Sequence, residues 1–234
     1  MTRGRKRKAD NIKDLIKRIK RHATLLSFIM SKTPRYHTAR TRVAGVRYID
    51  EVDEFDKVIG AIPYDGAHKT GVWHRSVHIF IFDNQDLEEL LLQLRSGKKK
   101  QGSLQYQTSA AGHVDEGESY KKAGWRETRE ELAFGKARLP RGLTLYKGPK
   151  IINRTHFGSG ERTVYNREHV QIYWGISPEG KNTEYFFDRA ETEGLLWKPM
   201  EEVERDVKSE EKSNNYTPDF RNVFAALRGR VLPK

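Results

Sequence analysis

A cluster of carboxylates follows a glycine-containing turn in the segment AGHVDEGESYKKAGWRETREELAF, residues 111–134. Ser119 can begin a helix that continues to about residue 132, because no proline interrupts it and good helix formers dominate its second half. At about 100° per residue, such a helix places Glu127, Glu130 and Glu131 on one face. The opposite face, which can pack against a sheet, carries Trp125, Thr128 and Leu132.

Three neighbouring carboxylates destabilise an exposed helix by about 0.2 to 0.5 kcal/mol for each like-charged pair, so we expect a positive partner. Arg126 can pair with one carboxylate, and Glu118 reaches it if the preceding loop folds back. A divalent cation can bind the others, and an all-oxygen site favours Mg²⁺ or Mn²⁺. The alternative is an ordinary solvated helix face, which the EE pair alone would indicate.

The spacing of six residues decides between these alternatives. A glycine, five residues, a glutamate, seven residues and then Arg-Glu-x-x-Glu-Glu describe Gly112, Glu118, Arg126, Glu127, Glu130 and Glu131. Six fixed letters match by chance about once per million windows of ordinary composition. The chain therefore resembles the Nudix hydrolase superfamily, with two departures from its pattern: Ala133 replaces the glycine that ends the helix, and Thr128 replaces an aliphatic residue.

This resemblance covers roughly residues 45–205 and implies an α/β (α+β) fold, an α/β/α sandwich with a mixed central sheet. It implies that Glu127, Glu130 and Glu131 bind metal with help from Glu118, while Arg126 holds the glutamates by charge-assisted hydrogen bonds. The implied reaction is attack of water on a diphosphate, because bound metal neutralises the phosphates and lowers the pKa of that water.

The attacking water also needs a base or a residue that positions it. Members of the superfamily take this residue either from the glutamate motif or from a distal glutamate. Glu168, in the segment NREHVQIYW, is our candidate for the distal one.

Within the superfamily, the pattern is closest to the branch of type I isopentenyl diphosphate isomerase and its hydrolase-like relatives. The segment AHKTGVWHRSVHIFIF is similar to that branch, with His68 and His74 near its metal-binding histidines, and His113 and Glu168 also match. The isomerase requires a cysteine two residues before His113, where this chain has Ala111. Because a methyl group supplies neither an acid nor a base, we expect hydrolysis rather than isomerisation.

Four residues are candidates for substrate contacts, namely Gly112, His74, Arg75 and His113. Arg75 has the planar guanidinium that grips phosphate oxygens. For any single histidine, His78 included, the alternative is a satisfied core position or a surface position. The same choice between core packing and base stacking applies to the aromatic residues Trp73, Tyr106 and Trp174.

Strands interleaved with helices must position these residues, and this order is typical of a sandwich. Alternation of apolar and polar residues predicts strands in HRSVHIFIFDN, VYNREHVQIYWGI and EGLLWKPM, and short strands around a turn in residues 44–65. The segment LEELLLQLRS fits a strand or a helix by periodicity, and the resemblance favours a strand. Helices are predicted for KPMEEVERDV, with Pro199 in the first turn, and for TPDFRNVFAAL, with Thr217 as N-cap and Pro218 at the first helical position.

A basic extension, residues 1–43, precedes the predicted Nudix domain of residues 44–234. Apolar residues recur at three- and four-residue steps from Asp10 or Asn11 and predict an amphipathic helix that ends before Pro34. This helix can dock on its own domain or on a second copy in a homodimer. Alternatively, the basic residues 3–21 can contact nucleic acid or a membrane surface.

Composition limits the remaining choices. The formal net charge of +12 favours anionic partners such as phosphorylated metabolites or nucleic acid. The absence of cysteine excludes disulfides, thiolate metal sites and cysteine nucleophiles. No apolar run approaches the roughly 18 to 20 residues that span a bilayer, so we expect a soluble, cytoplasmic protein.

The sequence thus predicts a Mg²⁺- or Mn²⁺-dependent hydrolase that cleaves a diphosphate linkage in a phosphorylated small molecule. The substrate class is a nucleotide, a nucleotide sugar, a dinucleotide or capped RNA. The alternative is a Nudix-fold module that binds nucleic acid or regulates without hydrolysis. Salt-dependent binding to RNA without metal-dependent hydrolysis would distinguish this alternative.

Overall fold

The computed structural model describes residues 44–99, 101–136, 138–157 and 164–231. The predicted amphipathic helix of the extension, and the domain boundary after residue 43, lie outside these residues. Among the described helices, none is both long and apolar enough to cross a membrane.

The strands are β1 (Tyr48–Val52), β2 (Val58–Pro63), β3 (Trp73–Phe82), β4 (Glu89–Arg95), β5 (Tyr106–Gln107), β6 (Ala110–His113), β7 (Leu145–Phe157), β8 (Val164–Ile176) and β9 (Thr192–Pro199). The α-helices are α1 (Tyr64–Thr70), α2 (Tyr120–Leu132), α3 (Met200–Lys208) and α4 (Pro218–Arg230). Short 3₁₀ turns occupy Gly180–Asn182 and Lys212–Asn215.

The central strand β3 has different partners along its two edges. On one edge, β8 runs parallel to it along the whole length, from the pair Trp73 and Arg167 to the pair Phe82 and Ile176. On the other edge, β6 pairs antiparallel with residues 76–79, and β4 pairs antiparallel with residues 81–82. β4 and β6 therefore share one edge of β3, and β3 lies between β6 and β8.

The remaining strands complete a mixed seven-stranded sheet, with β7 beside β8 and with β5 and β9 beside β4. β1 and β2 form a separate antiparallel pair. Apolar residues occupy both faces of β3, as a buried central strand requires. Phe80 and Phe82 pack with α3 and α4, whereas Val77, Ile79 and Ile81 pack with α2 on the opposite face. Helices on both faces of a mixed sheet form the predicted α/β/α sandwich.

Most of the predicted elements are present. LEELLLQLRS contains strand β4, and α2 and α4 begin after the predicted N-caps Ser119 and Thr217, whose side chains accept hydrogen bonds from Lys122 N and Phe220 N. Pro199 lies at the N-cap of α3 rather than inside its first turn. The short helix α1 and the strands β5, β6 and β7 have no counterpart among the predicted elements.

Candidate active site

Helix α2 holds the motif glutamates against the sheet. Its inner face buries Ala123, Gly124, Thr128 and Leu132. The Thr128 hydroxyl donates a hydrogen bond to the Gly124 carbonyl at 2.6 Å, which explains how a polar residue is accommodated where the family has an aliphatic one. At the C-terminus, Ala133 has φ −134°, so this position does not need the left-handed conformation that favours glycine.

The three motif carboxylates differ strongly in exposure. Glu127 is only 6% exposed, while the side chain of Glu130 is 49% exposed. Gly112 of β6 lies directly over Glu127, and a Cβ atom at this glycine would overlap the Glu127 carboxylate. The missing side chain of Gly112 therefore creates the space in which Glu127 lies.

Arg126 connects the motif as the sequence predicts. Its guanidinium donates to Glu118 at 2.8 and 3.1 Å, to Glu127 at 2.5 Å and to Glu130 at 3.2 Å. It also donates to the backbone carbonyl of His113 at 2.8 Å, which ties α2 to β6. Although partial burial acts in the opposite direction, hydrogen bonds from Arg126 and from Asp115 N keep the pKa of Glu118 below its ordinary value.

Glu131 is fixed by two donors on neighbouring strands. Its Oε2 accepts hydrogen bonds from Gln93 Nε2 at 2.8 Å and from Ala111 N at 3.0 Å. Burial, with the charge of Glu127 nearby, raises the pKa of Glu131 to about 8. Burial likewise raises the pKa of Glu127 to about 7, even though Arg126 opposes this shift. The positive charge around Glu127 and Glu131 therefore does not offset the effect of burial, and a bound cation would favour the ionised forms of both carboxylates.

A second group of ligand atoms lies beside the motif. His68 of α1, His74 of β3, His113 of β6 and Glu168 of β8 place their ligand atoms within 4.8 Å of one another. Glu168 Oε1 lies 3.5 Å from His74 Nε2 and 3.4 Å from His113 Nε2. The strand register explains the convergence, because His74 pairs with Glu168 across β3 and β8, and Ser76 pairs with His113 across β3 and β6.

The chemistry of this histidine cluster fits a divalent metal ion. His74 Nδ1 lies 3.0 Å from the Val72 carbonyl oxygen and donates a hydrogen bond to it. In the neutral ring, Nε2 then carries a lone pair, and this atom has no hydrogen-bond partner among the described residues. Burial lowers the pKa of His68 to about 4 and also lowers the pKa of His113, so both imidazoles are neutral. Although burial acts in the opposite direction, the neighbouring rings of His113 and His74 hold the pKa of Glu168 well below its ordinary value. Neutral imidazoles around an ionised carboxylate form a ligand set of transition metals.

Two adjoining cavities open around this region. The inner cavity, of about 320 Å³, is lined on its polar side by Ser76, His78, Gln93, Asn166, Glu168 and Asp219. The outer cavity, of about 730 Å³, lies over the motif and is lined by Arg47, Glu127, Arg129, Glu130, Lys136 and Asp188. Both cavities contact Ala111, Gly112, His113 and Glu131, which form the wall between them.

The structure brings most of the sequence-predicted residues to this wall, with three differences. Arg75 is directed away from this wall, because its Nε donates a hydrogen bond to Asp56 at 2.5 Å and its Nη1 donates one to Asp50 at 3.3 Å. His74 is fully buried within the histidine cluster and does not line either cavity. Glu118 and Arg126 face each other, and both line neither cavity.

Sequence reasoning missed the polar strand residues of the inner cavity, including Ser76, Gln93 and Asn166. A signal exists only for Gln93, which lies between Leu92 and Leu94 in the sequence, whereas Ser76 and Asn166 each follow or precede an arginine. Buried polar side chains in a strand need partners, and such positions are candidates for ligand contacts when no partner is evident.

The chain is similar in sequence to known proteins. The NUDIX domain family matches residues 72–220 of the chain. A 70-residue stretch is 40% identical to Nudix hydrolase 3 of Arabidopsis thaliana, covering 30% of this chain but 9% of that protein, so the chain spans a small part of that relative. Isopentenyl-diphosphate Delta-isomerase 2 of Aromatoleum aromaticum is 27% identical over 166 residues, which cover 70% of this chain and 79% of the isomerase.

The fold agrees as well. A crystal structure from Deinococcus radiodurans superimposes with a TM-score of 0.59 and 22% sequence identity, covering 77% of this chain and 98% of that one. The glutamate motif, the sandwich that carries it and the family match over residues 72–220 lead to one conclusion: this chain belongs to the Nudix superfamily.

Proposed function

We propose that the protein hydrolyses a diphosphate linkage in a phosphorylated small molecule, with Mg²⁺ or Mn²⁺ bound by the motif glutamates. One observation carries this proposal. Glu127 and Glu131 converge on the wall Ala111-Gly112-His113 between two cavities, where Gly112 leaves space for a carboxylate and the histidine cluster adjoins. A diphosphate at this wall would have room for one substituent in each cavity.

Glu127, Glu130 and Glu131 would hold the motif metal, and His68, His74, His113 and Glu168 would hold a second divalent ion. When bound, such ions neutralise the diphosphate and lower the pKa of a coordinated water. Arg126 keeps the motif carboxylates in place through its five contacts, so the site is organised before substrate arrives.

Glu131 is better placed than Glu168 to position the attacking water. The donors Gln93 and Ala111 hold one oxygen of Glu131, which leaves Oε1 at the wall shared by the cavities. By contrast, Glu168 Oε1 lies among the proposed metal ligands, 3.5 Å from His74 Nε2 and 3.4 Å from His113 Nε2, and Oε2 accepts a hydrogen bond from Asn153 Nδ2 at 3.3 Å. We therefore assign Glu168 to the ligand set rather than to the distal base expected from the sequence.

The position of Ala111 supports hydrolysis over isomerisation. Ala111 lies at the wall between the cavities, where the isomerase branch requires a cysteine. Moving a proton across a double bond requires an acid and a base, and a methyl group provides neither. Attack of water on phosphorus requires only the water, its orientation and charge neutralisation.

Replacement of Glu130 and Glu131 by Gln tests the proposal. Each change keeps the side-chain shape but removes a charged metal ligand, so we expect phosphate release to fall at least a hundredfold, beyond the 10- to 100-fold typical of outer-shell changes. The assay is release of phosphate or diphosphate from nucleoside diphosphates and triphosphates with Mg²⁺ or Mn²⁺. For nucleotide sugars, dinucleotides and capped RNA, which split into two phosphorylated products, the products are separated by chromatography. Glu201→Gln, in the exposed first turn of α3, is the matched control. Equal activity in all variants would contradict the assignment.

We also propose that the basic residues 3–21 bind nucleic acid. The supporting observation is the location of the charge: residues 1–43 contain 14 Lys and Arg against two Asp, so they carry the whole net charge of +12. Such a concentration favours phosphate backbones. This role is compatible with hydrolysis, because the extension could bring the domain to an RNA.

A further inference from the structure

We propose that an exposed part of the central sheet binds a single-stranded nucleic acid through a pair of arginines and neighbouring aromatic rings. We call this surface the basic sheet face. It consists of Ile152, Arg154 and His156 on β7, Tyr165 and Arg167 on β8, and Trp73 on β3. None of these residues lines either cavity, so the inference requires neither the proposed hydrolysis nor the basic extension.

The strand register brings these residues to one face of the sheet. Four register pairs join the strands: Ile152 with His169, Arg154 with Arg167, His156 with Tyr165, and Trp73 with Arg167. Side chains of directly paired residues lie on the same face, as do those at alternate positions of one strand. The six side chains consequently form one continuous surface.

Helix α2 and the turn between β1 and β2 cover only the other end of this face. There, Tyr120 Oη lies 3.3 Å from the carbonyl oxygen of His169, and the Asp53 carbonyl oxygen lies 3.0 Å from His169 Nε2. Beyond His169 the side chains of β7 and β8 face solvent. Ile152 and Tyr165 are each 51% exposed, and the other exposed residues are Arg154, His156 and Arg167.

The two arginines of the basic sheet face repel each other. Arg154 and Arg167 lie directly opposite each other on antiparallel strands, an arrangement that destabilises a sheet when the charges are alike. Among the described residues, no carboxylate forms an ion pair with either guanidinium. The Trp73 ring, whose centroid lies 5.0 Å from Arg154 Cζ, orients one guanidinium but does not neutralise it. A phosphate bound by both arginines would remove the repulsion.

Aromatic rings continue the face beside the arginine pair. His156 and Tyr165 form the next pair on the same face, two residues or about 7 Å further along the strands. Among the described residues, no ring packs against either of them. Bases of single strands stack on such exposed rings while basic residues contact the phosphates. A duplex keeps its bases paired and stacked on one another, so this combination favours a single strand.

Fluorescence anisotropy of the full-length protein with labelled oligouridine tests the inference. Oligouridine without a 5′ phosphate contains no diphosphate linkage, so hydrolysis cannot affect the measurement. We expect the double variant Arg154→Ser, Arg167→Ser to lower the slope of log K against log salt by about 1.4, because each phosphate contact contributes about 0.7. The matched control replaces Arg205 and Arg230 by Ser, since both are exposed and lie on α3 and α4 at the opposite face of the sheet.

Tyr165→Leu tests the stacking separately from the charge. Leucine keeps an apolar side chain but removes the ring, so we expect the Kd for oligouridine to rise at least about fivefold, the low end for loss of a stacked aromatic residue. The Kd for duplex RNA should not change. Tyr146→Leu is the matched control, because Tyr146 is 46% exposed on β7 but its ring packs against Trp174. Circular dichroism checks that each variant is folded.

Three results would overturn the inference: equal slopes for the two arginine double variants, equal Kd values for the two tyrosine variants, or no detectable binding of oligouridine by the wild type. Serine replacement of the basic residues of the extension separates this inference from the proposed role of residues 3–21. If only that replacement lowers the slope, the basic sheet face is not a binding surface. If only the change at Arg154 and Arg167 lowers it, the face binds RNA and the proposed role of the extension fails.

Discussion

Gly112 is the residue at which sheet and helix come closest in the site. Its backbone lies over Glu127, and the residues on either side, Ala111 and His113, contact Glu131 and Arg126 through backbone N–H and C=O groups. A side chain at this position would meet the carboxylate at the end of the Glu127 side chain, which Arg126 holds in place and which would have to move. The requirement for glycine in the motif is thus steric.

Replacing Gly112 by Ala should therefore displace Glu127 and weaken the contact between β6 and α2. We expect the free energy of unfolding to fall by about 1 to 3 kcal/mol, the usual cost of overpacking. Phosphate release should fall as well, because the displaced carboxylate no longer meets the metal. Urea denaturation and the phosphate assay measure the two effects.

Gly194→Ala is the control for this prediction. Gly194 lies on β9, and a Cβ atom there would have open space around it. It should change neither quantity. If Gly112→Ala behaves like Gly194→Ala, the steric explanation of the motif glycine is wrong.

At the scale of elements, the sequence predicts those features that depend on residue types within one helix or strand. The helix α2, its N-cap Ser119 and the shared location of the motif carboxylates all follow from residue types and spacing. The burial of Glu127 does not, because it depends on β6 lying above the helix. The helix α1, which supplies His68, spans only seven residues and is too short to show a clear periodicity.

The position of α4 shows the same limit. Thr217 and Pro218 predict where the helix begins, but they do not predict that this end closes the inner cavity. Asp219 fixes the helix there by accepting hydrogen bonds from Asn153 at 2.7 Å and Thr155 at 2.8 Å. These partners lie more than 60 residues earlier on β7, and no local pattern links them to α4.

Loss of the N-cap should destabilise this element measurably. Thr217 Oγ1 accepts a hydrogen bond from Phe220 N at 3.2 Å, and Thr217→Ala leaves that N–H without its partner in a buried setting. We expect the free energy of unfolding to fall by about 1 kcal/mol, within the range for N-cap replacements. Urea denaturation measures the change. Thr217→Ser keeps the oxygen and should lose less; equal losses for Ala and Ser would show that the methyl group, not the cap, matters.

For the whole molecule, charge divides the chain into two parts, for which we propose different roles. Residues 44–234 contain 30 Lys and Arg and 30 Asp and Glu, so this part of the chain has no net charge. The excess that favours anionic partners resides in residues 1–43. Attraction of a small diphosphate must therefore come from local groups such as Arg129 and Lys136 in the outer cavity, and from metal.

This division predicts that RNA binding and small-molecule hydrolysis can be changed separately in the full-length protein. A variant in which serine replaces five basic residues of the extension should bind single-stranded RNA with a weaker salt dependence; these residues are Arg3, Arg5, Lys6, Arg7 and Lys8. Each lost phosphate contact lowers the slope of log K against log salt by about 0.7, so the slope should fall by about 3 to 4 units.

A charge-matched control locates the effect. Its five serine replacements, all on exposed residues of the described domain, are at Lys121, Lys122, Lys147, Lys208 and Arg230. Both variants lose the same net charge, so general electrostatic attraction falls equally in both. Fluorescence anisotropy at several salt concentrations should show a reduced slope only for the variant in the extension, while phosphate release from a small substrate stays unchanged. Equal slopes in the two variants would mean that RNA responds to total charge and that the extension is not a binding element.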